Sequence, residues 1–191
     1  MTRVPLRGRV AAAVLLAGAV SAACGGSGQA DPAAAPGGAA VPAFVQADVD
    51  FVVHLSQHHS QALHLAELAP SRGRSPEVKS LAADIAAVYA PQVDTLAEWI
   101  RAWAQAGAEL PAHGIGQDET GPGMVPEGAV TRLEALKGQA FDRQFRVLMA
   151  RHHRGGLDLV DEQLQGGINP DARALAERLR TAQDEQLAQL K

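Results

Sequence analysis

Four of the seven histidines in this 191-residue chain fall within eleven residues, "HLSQHHSQALH", as His54, His58, His59 and His64. A second adjacent pair, His152 and His153, follows in "LMARHHRGG". Imidazole can ligate Zn, Cu, Fe or Ni, carry a proton near neutral pH, or pin helices together through buried hydrogen bonds. At about 100° per residue, Phe51, Leu55, His58, Ala62 and Leu65 share one helical face. Phe145, Met149, His152, Gly156 and Leu159 form a second such face. His58 and His152 therefore stand in the middle of apolar stripes, and His59 and His153 lie about 100° round at the flank. A buried imidazole is costly unless its nitrogens find partners. Those partners can be a shared metal, a carboxylate, or a backbone carbonyl or water.

His54, one turn before His58, can grip the same cation in an i,i+4 pair. Met149 precedes His152 by three residues on the same face, and thioether with imidazole suits copper, above all Cu(I). His64 falls on the opposite side from His58 and is expected at the surface. His113 and Met124 lie in a Gly/Pro-rich loop, able to join a site or to stand apart. Glu67, Asp142 and Asp161 are candidate partners for the imidazole rings and equally ordinary surface acids.

The elements that position these residues repeat. A shift of 94 positions places Phe51 on Phe145, His58 and His59 on His152 and His153, Leu63 on Leu157, and Leu65 on Leu159. The same shift carries "SPEV" at Ser75 onto "NPDA" at Asn169, Leu81 onto Leu175, Gln92 onto Gln186 and Leu96 onto Leu190. Internal symmetry of this kind marks duplicated structure. Ser75 and Asn169 are suited to N-caps, with Pro76 and Pro170 at the first helical position and Glu77 and Asp171 favouring the dipole. The first helices are expected over 44–69 and 139–165, the latter ended by Gly166 and Gly167. The second helices are expected over 76–105, kinked near Pro91, and 170–191. A loop, 106–126, and a short helix, 127–137, join the halves. The fold class is all-α, an antiparallel four-helix bundle built from two repeated helical hairpins (44–105 and 139–191).

Ahead of the bundle, Arg3, Arg7 and Arg9 precede an apolar run, Val10 to Val20, and then "SAAC". The run is shorter than the roughly 20 residues that span a bilayer, so residues 1–23 read as a signal peptide. Cys24, the only cysteine, resembles the lipid-attachment residue of a bacterial lipoprotein, although Ser21 stands where such signals usually carry an aliphatic residue. Residues 24–43 form a Gly/Ala/Pro tether. The chain is expected on the outer face of the cell membrane, or else secreted. Loss of residues 1–23 removes three arginines and no acid, taking the net charge from −4 to −7. That balance excludes nucleic acid as a partner. The expected partners are a metal ion, the membrane through the lipid anchor, and optionally a second copy of the chain.

The paired segments "FVVHLSQHHSQALHL" and "FDRQFRVLMARHHRGG" resemble those of the bacterial domain of unknown function 305. The matching residues are Phe51, His58, His59 and Ala62 in the first, and Phe141, Asp142, Phe145, Met149, His152, His153 and Gly155 in the second. The resemblance extends from Phe44 to Lys191. It implies a ferritin-like bundle in an exported protein associated with copper, with His58, His59, His152, His153 and Met149 as ligand candidates. The chain departs from the family at Leu55, Leu65 and Leu159, where methionine is usual, and keeps only Met124 in the connecting loop. Fewer thioethers weaken the case for Cu(I) and favour an imidazole site for Cu(II) or Zn(II), to which His54 adds.

Catalysis finds little support. No Glu-x-x-His pair for a diiron bundle and no His-Glu-x-x-His zinc protease motif occurs. The reading is a metal-binding protein for sequestration or delivery. The alternative is a structural or pH-sensing module whose histidines bind no metal.

Overall fold

The structure, a computed structural model, describes residues 42–111 and 121–191. The expected signal peptide, Cys24, the expected tether up to residue 41, and His113 lie outside the described residues. Five helices follow in order: α1 Gln46–Arg72, α2 Pro76–Gln105, α3 Glu127–Ala135, α4 Gly138–Gly166 and α5 Pro170–Gln189. Helix starts fall where the capping chemistry put them. The Ser75 hydroxyl accepts from Val78 N, and the Asn169 side chain accepts from the amides of Asp171 and Ala172, with a proline opening each helix.

α2 runs on through Pro91 and α1 contains Pro70, while Gly166 and Gly167 end α4 as expected. Gly167 caps α4 at φ −78°, not in the left-handed region. The Gln163 carboxamide packs directly over it, 2.2 Å from where a Cβ would lie.

α1 packs on α2, α4 on α5, and the two hairpins meet through α1 and α4. Asp48 at the start of α1 bonds Gln163 near the end of α4, and Asp142 at the start of α4 bonds the turn after α1. The two central helices are therefore antiparallel and cross at the histidines. Both predicted stripes are buried, with Leu55, Ala62, Leu65, Phe145 and Met149 fully so. Among the described residues, no helix is long and apolar enough to cross a membrane.

Candidate metal centre

His58, His59, His152 and His153 are all buried at the α1–α4 crossing. The rings of His58 and His152 lie against each other, centroids 3.6 Å apart and planes tilted by 34°. His59 and His153 each lie beside their neighbour, at 6.4 and 6.3 Å. The two flank rings are as buried as the central ones because each hairpin's own second helix covers that flank. His59 stacks on Tyr89 of α2 at 4.0 Å and 6°, and its Nε2 donates to Gln92 Oε1 at 2.8 Å. His153 Nε2 donates to Gln186 Oε1 of α5 at 2.7 Å, and the Tyr89 hydroxyl donates to the same oxygen at 3.2 Å. Tyr89 thereby links the two outer helices across the site.

His58 Nε2 donates to the His152 backbone carbonyl at 2.9 Å. Three of the four rings thus carry their proton on Nε2, which leaves Nδ1 with a lone pair. The Nδ1 atoms of His58 and His59 and both nitrogens of His152 are buried without a hydrogen-bond partner. His153 Nδ1 has only the Met149 carbonyl nearby, whose pull favours the protonated ring. A buried polar atom left unpaired costs about 1–3 kcal/mol. Several together at one point call for a ligand or for a compensating role.

The rings are neutral. Burial, helped by the neighbouring His59, pushes His58 from the ordinary 6.5 down to about 3, against the opposing pull of the His152 carbonyl. Burial takes His59 and His153 down to about 4, with Gln92 and Gln186 resisting. His152, which faces the other three, is lowered well below its ordinary value, by burial first and His58 second. Burial likewise raises the Tyr89 phenol, which stays protonated.

Of the other predicted residues, Met149 is fully buried on α4. His54 is half-buried one turn before His58 and, among the described residues, makes no ring contact or hydrogen bond with the four. His64 is exposed, as expected, and pairs with Glu134 at 3.1 Å. The acids do not reach the rings: Glu67 is exposed, Asp161 pairs with Arg180, and Asp142 caps the α1–α2 turn. The groups that orient the imidazoles are carboxamides, Gln92 and Gln186. Their coincidence under the 94-residue shift was visible in the sequence, and it was the available signal.

A segment of the long loop covers the crossing. Gln61 clamps Val125, donating to its carbonyl at 2.9 Å and accepting from its amide at 2.7 Å. Gly123, at φ +71°, lies against the His152 carbonyl, where a Cβ would come within 2.7 Å. A Cβ on Gly155 would lie 2.2 Å from the backbone of Pro122 and Gly123. The glycine that follows the second His-His pair therefore seats this cover. Gly155→Ala is expected to destabilise by about 2–3 kcal/mol, as overpacking does, lowering Tm by about 5–10 °C. Gly128→Ala, on the exposed face of α3, should raise Tm slightly. Thermal melts of the two variants check the contrast.

The donor chemistry fits a transition metal: imidazole nitrogens with free lone pairs, oriented from behind by hydrogen-bonded carboxamides, and one buried thioether. The four rings are closely packed against one another and their covering helices. Among the described residues, no three His, Cys, Asp or Glu side chains converge on one point. Facing rings direct their lone pairs outward in their own planes and not at one another.

The family model described as "Domain of unknown function (DUF305)" matches residues 48–191. A DUF305 protein from Streptomyces coelicolor is 27% identical with a TM-score of 0.66, over 75% of this chain and 89% of that one. A DUF305 fragment from Deinococcus radiodurans is 30% identical with a TM-score of 0.66, over 78% of this chain and 95% of that one. CopM in its Cu(II)-bound form is 22% identical with a TM-score of 0.63, over 75% of this chain and 92% of that one. At that identity the likeness to CopM speaks to the fold alone. No curated protein matches the chain.

Proposed function

The chain belongs to the DUF305 family, and from that premise we propose that it is an exported metal-binding protein that sequesters or delivers a transition metal, copper before zinc. The observation that carries this reading is the set of buried imidazole nitrogens left without partners at the α1–α4 crossing. His58, His59, His152, His153 and Met149 are the ligand set, and His54 extends it on α1. Gln92 and Gln186 hold the flank rings in one tautomer, which keeps Nδ1 free for a cation. The metal is cargo and not a catalyst. Support also comes from CopM, of the same fold, which is described in Cu(I)-bound and Cu(II)-bound forms. Residues 1–23 act as signal peptide, Cys24 as lipid anchor and 24–43 as tether for the domain 44–191. The Streptomyces coelicolor relative, described as a candidate secreted protein, agrees with export.

Titration of the full chain with Cu(II), Ag(I) or Zn(II) is expected to saturate near one equivalent. His58→Ala combined with His152→Ala should abolish that binding while circular dichroism still reports a helical protein. Unchanged affinity in the double variant would sink the reading.

One observation favours the second reading, a structural or pH-responsive module. The four rings are neutral and closely packed, and no three of the metal-binding side chain types converge among the described residues. A wild-type chain that takes up no metal, yet loses stability steeply in acid, would establish this alternative.

A further inference from the structure

The inner residues of the two hairpins match under the 94-residue register at His58 and His152, His59 and His153, and Gln92 and Gln186. They do not match at Tyr89 of α2, which corresponds to Gln183 of α5. Tyr89 is fully engaged: its ring stacks on His59 and its hydroxyl donates to Gln186. Gln183 is equally buried, yet neither its Oε1 nor its Nε2 completes a hydrogen bond. The Tyr89 hydroxyl donates its proton to Gln186, and its oxygen faces the Gln183 amide N–H, which pulls the phenol down against burial; the Gln183 oxygen is the atom left without a donor.

Its place is specific. Gly156 makes the room: a Cβ there would lie 2.7 Å from both amide atoms of Gln183 and 2.9 Å from His58 Cε1. The carboxamide is thus pressed onto the α4 backbone at Gly156, with His58 Cε1, the carbon between the two ring nitrogens, close to the same point. In the other hairpin the register equivalent of Gly156 is Ala62, so this opening exists on one side only. A leucine of similar size would fill the position with no unpaired polar atom, so packing does not account for a glutamine.

Resting on the metal-binding reading, we infer that Gln183 is a further ligand-side residue whose carboxamide oxygen turns the His58–His152 site toward divalent Cu(II) or Zn(II). An amide oxygen is a hard neutral donor that suits a divalent ion, whereas monovalent Cu(I) and Ag(I) draw on thioether sulfur, here Met149. Oxygen and sulfur donors are thereby gathered on the α4–α5 side of the site, and the α1–α2 side supplies imidazole held by Tyr89 and Gln92.

The test compares the full wild-type chain with Gln183→Leu, using Cu(II) and Ag(I) in competition titrations and thermal melts of the metal-free proteins. Cu(II) affinity is expected to fall at least tenfold in Gln183→Leu and Ag(I) affinity to stay within about twofold. The metal-free variant should melt higher, having lost an unpaired buried amide. Gln183→Glu, which keeps the oxygen, should melt lower without metal and gain more from Cu(II) than the wild type does. Equal affinities in wild type and Gln183→Leu, or an equal fall for both ions, overturns the inference and leaves the metal site standing. A wild-type chain that binds neither ion overturns the metal-binding reading itself, and this inference with it.

Discussion

Lowering the pH from 7 to 5 is expected to remove roughly 8 kcal/mol of folding stability from the metal-free protein, a large part of what holds a domain of this size folded. The four buried rings are the cause. Each titrates near 6.5 in the unfolded chain, whereas in the fold His59 and His153 titrate at about 4, His58 at about 3 and His152 far below its ordinary value. A depressed folded value means that the unfolded state binds more protons throughout the interval between the two values. Stability is therefore complete above 6.5 and lost as the pH falls toward 4 and then 3. At pH 5 each ring has cost roughly 2 kcal/mol, and four together rival the 5–15 kcal/mol by which domains are stable.

Urea unfolding at half-unit pH steps should show a slope near pH 5 approaching four protons, roughly 5 kcal/mol per unit. His58→Leu with His152→Leu should halve that slope, since two of the four rings remain. A flat profile between pH 7 and 5 would show that the rings are solvated, contrary to their burial. Metal bound at Nδ1 opposes the loss by mass action, since protons and the ion compete for the same lone pairs. Saturating Cu(II) should therefore shift the acid transition to lower pH if the metal reading holds, and leave it in place if the histidines only sense pH.

The residues that could be read from sequence are those whose placement is local. Ser75-Pro76 and Asn169-Pro170 start their helices because a cap and a proline act within one turn. The inward aim of His58 and His152 follows from helical period alone. What lay beyond reach depends on how one helix slides against another. His59 and His153 read as flank positions, but α2 and α5 bury them, and the covering groups Tyr89, Gln92 and Gln186 come from 30 or more residues away. Gln92 and Gln186 coincided under the repeat without revealing that each faces a histidine. Tyr89 and Gln183 break the repeat, so the repeat carries no signal for either. Gly155 belonged to the motif with no local reason for being glycine, and its reason is the backbone of residues 122–123 lying across it. Asp142 was visible as a candidate partner for the rings, and its true partners are amides at the far end of the other hairpin.

Asp48→Ala is expected to cost roughly 4–5 kcal/mol, the largest loss of any single substitution considered, although the residue never approaches the histidines. The carboxylate is fully buried and accepts four hydrogen bonds: from Val45 N at 2.9 Å, Gln163 Nε2 at 2.7 Å, and Ile168 N and Asn169 N at 3.1 Å each. Hydrogen bonds to a charged acceptor contribute about 1.5–3 kcal/mol each, and alanine would strand the donors in a buried turn. Asp142, its equivalent 94 residues on, accepts from Arg74 N and Ser75 N at 3.0 Å. It keeps fewer donors and some exposure, so Asp142→Ala should cost less, about 2–4 kcal/mol. Each aspartate opens the first helix of one hairpin and ties the turn of the other, so the pair locks the hairpins at both ends of the bundle. The two sites share no partner, and the double variant should lose the sum of the single losses within about 0.5 kcal/mol. Asp48→Asn, which keeps one acceptor oxygen, should recover part of the stability. Asp48 is ten residues from His58, about 15 Å along α1, so metal affinity in Asp48→Asn should match the wild type at temperatures where it is folded. Urea unfolding of the four variants decides the matter. A loss below about 1 kcal/mol for Asp48→Ala would mean that apolar packing at the histidine crossing, and not this reciprocal capping, sets how the two hairpins dock.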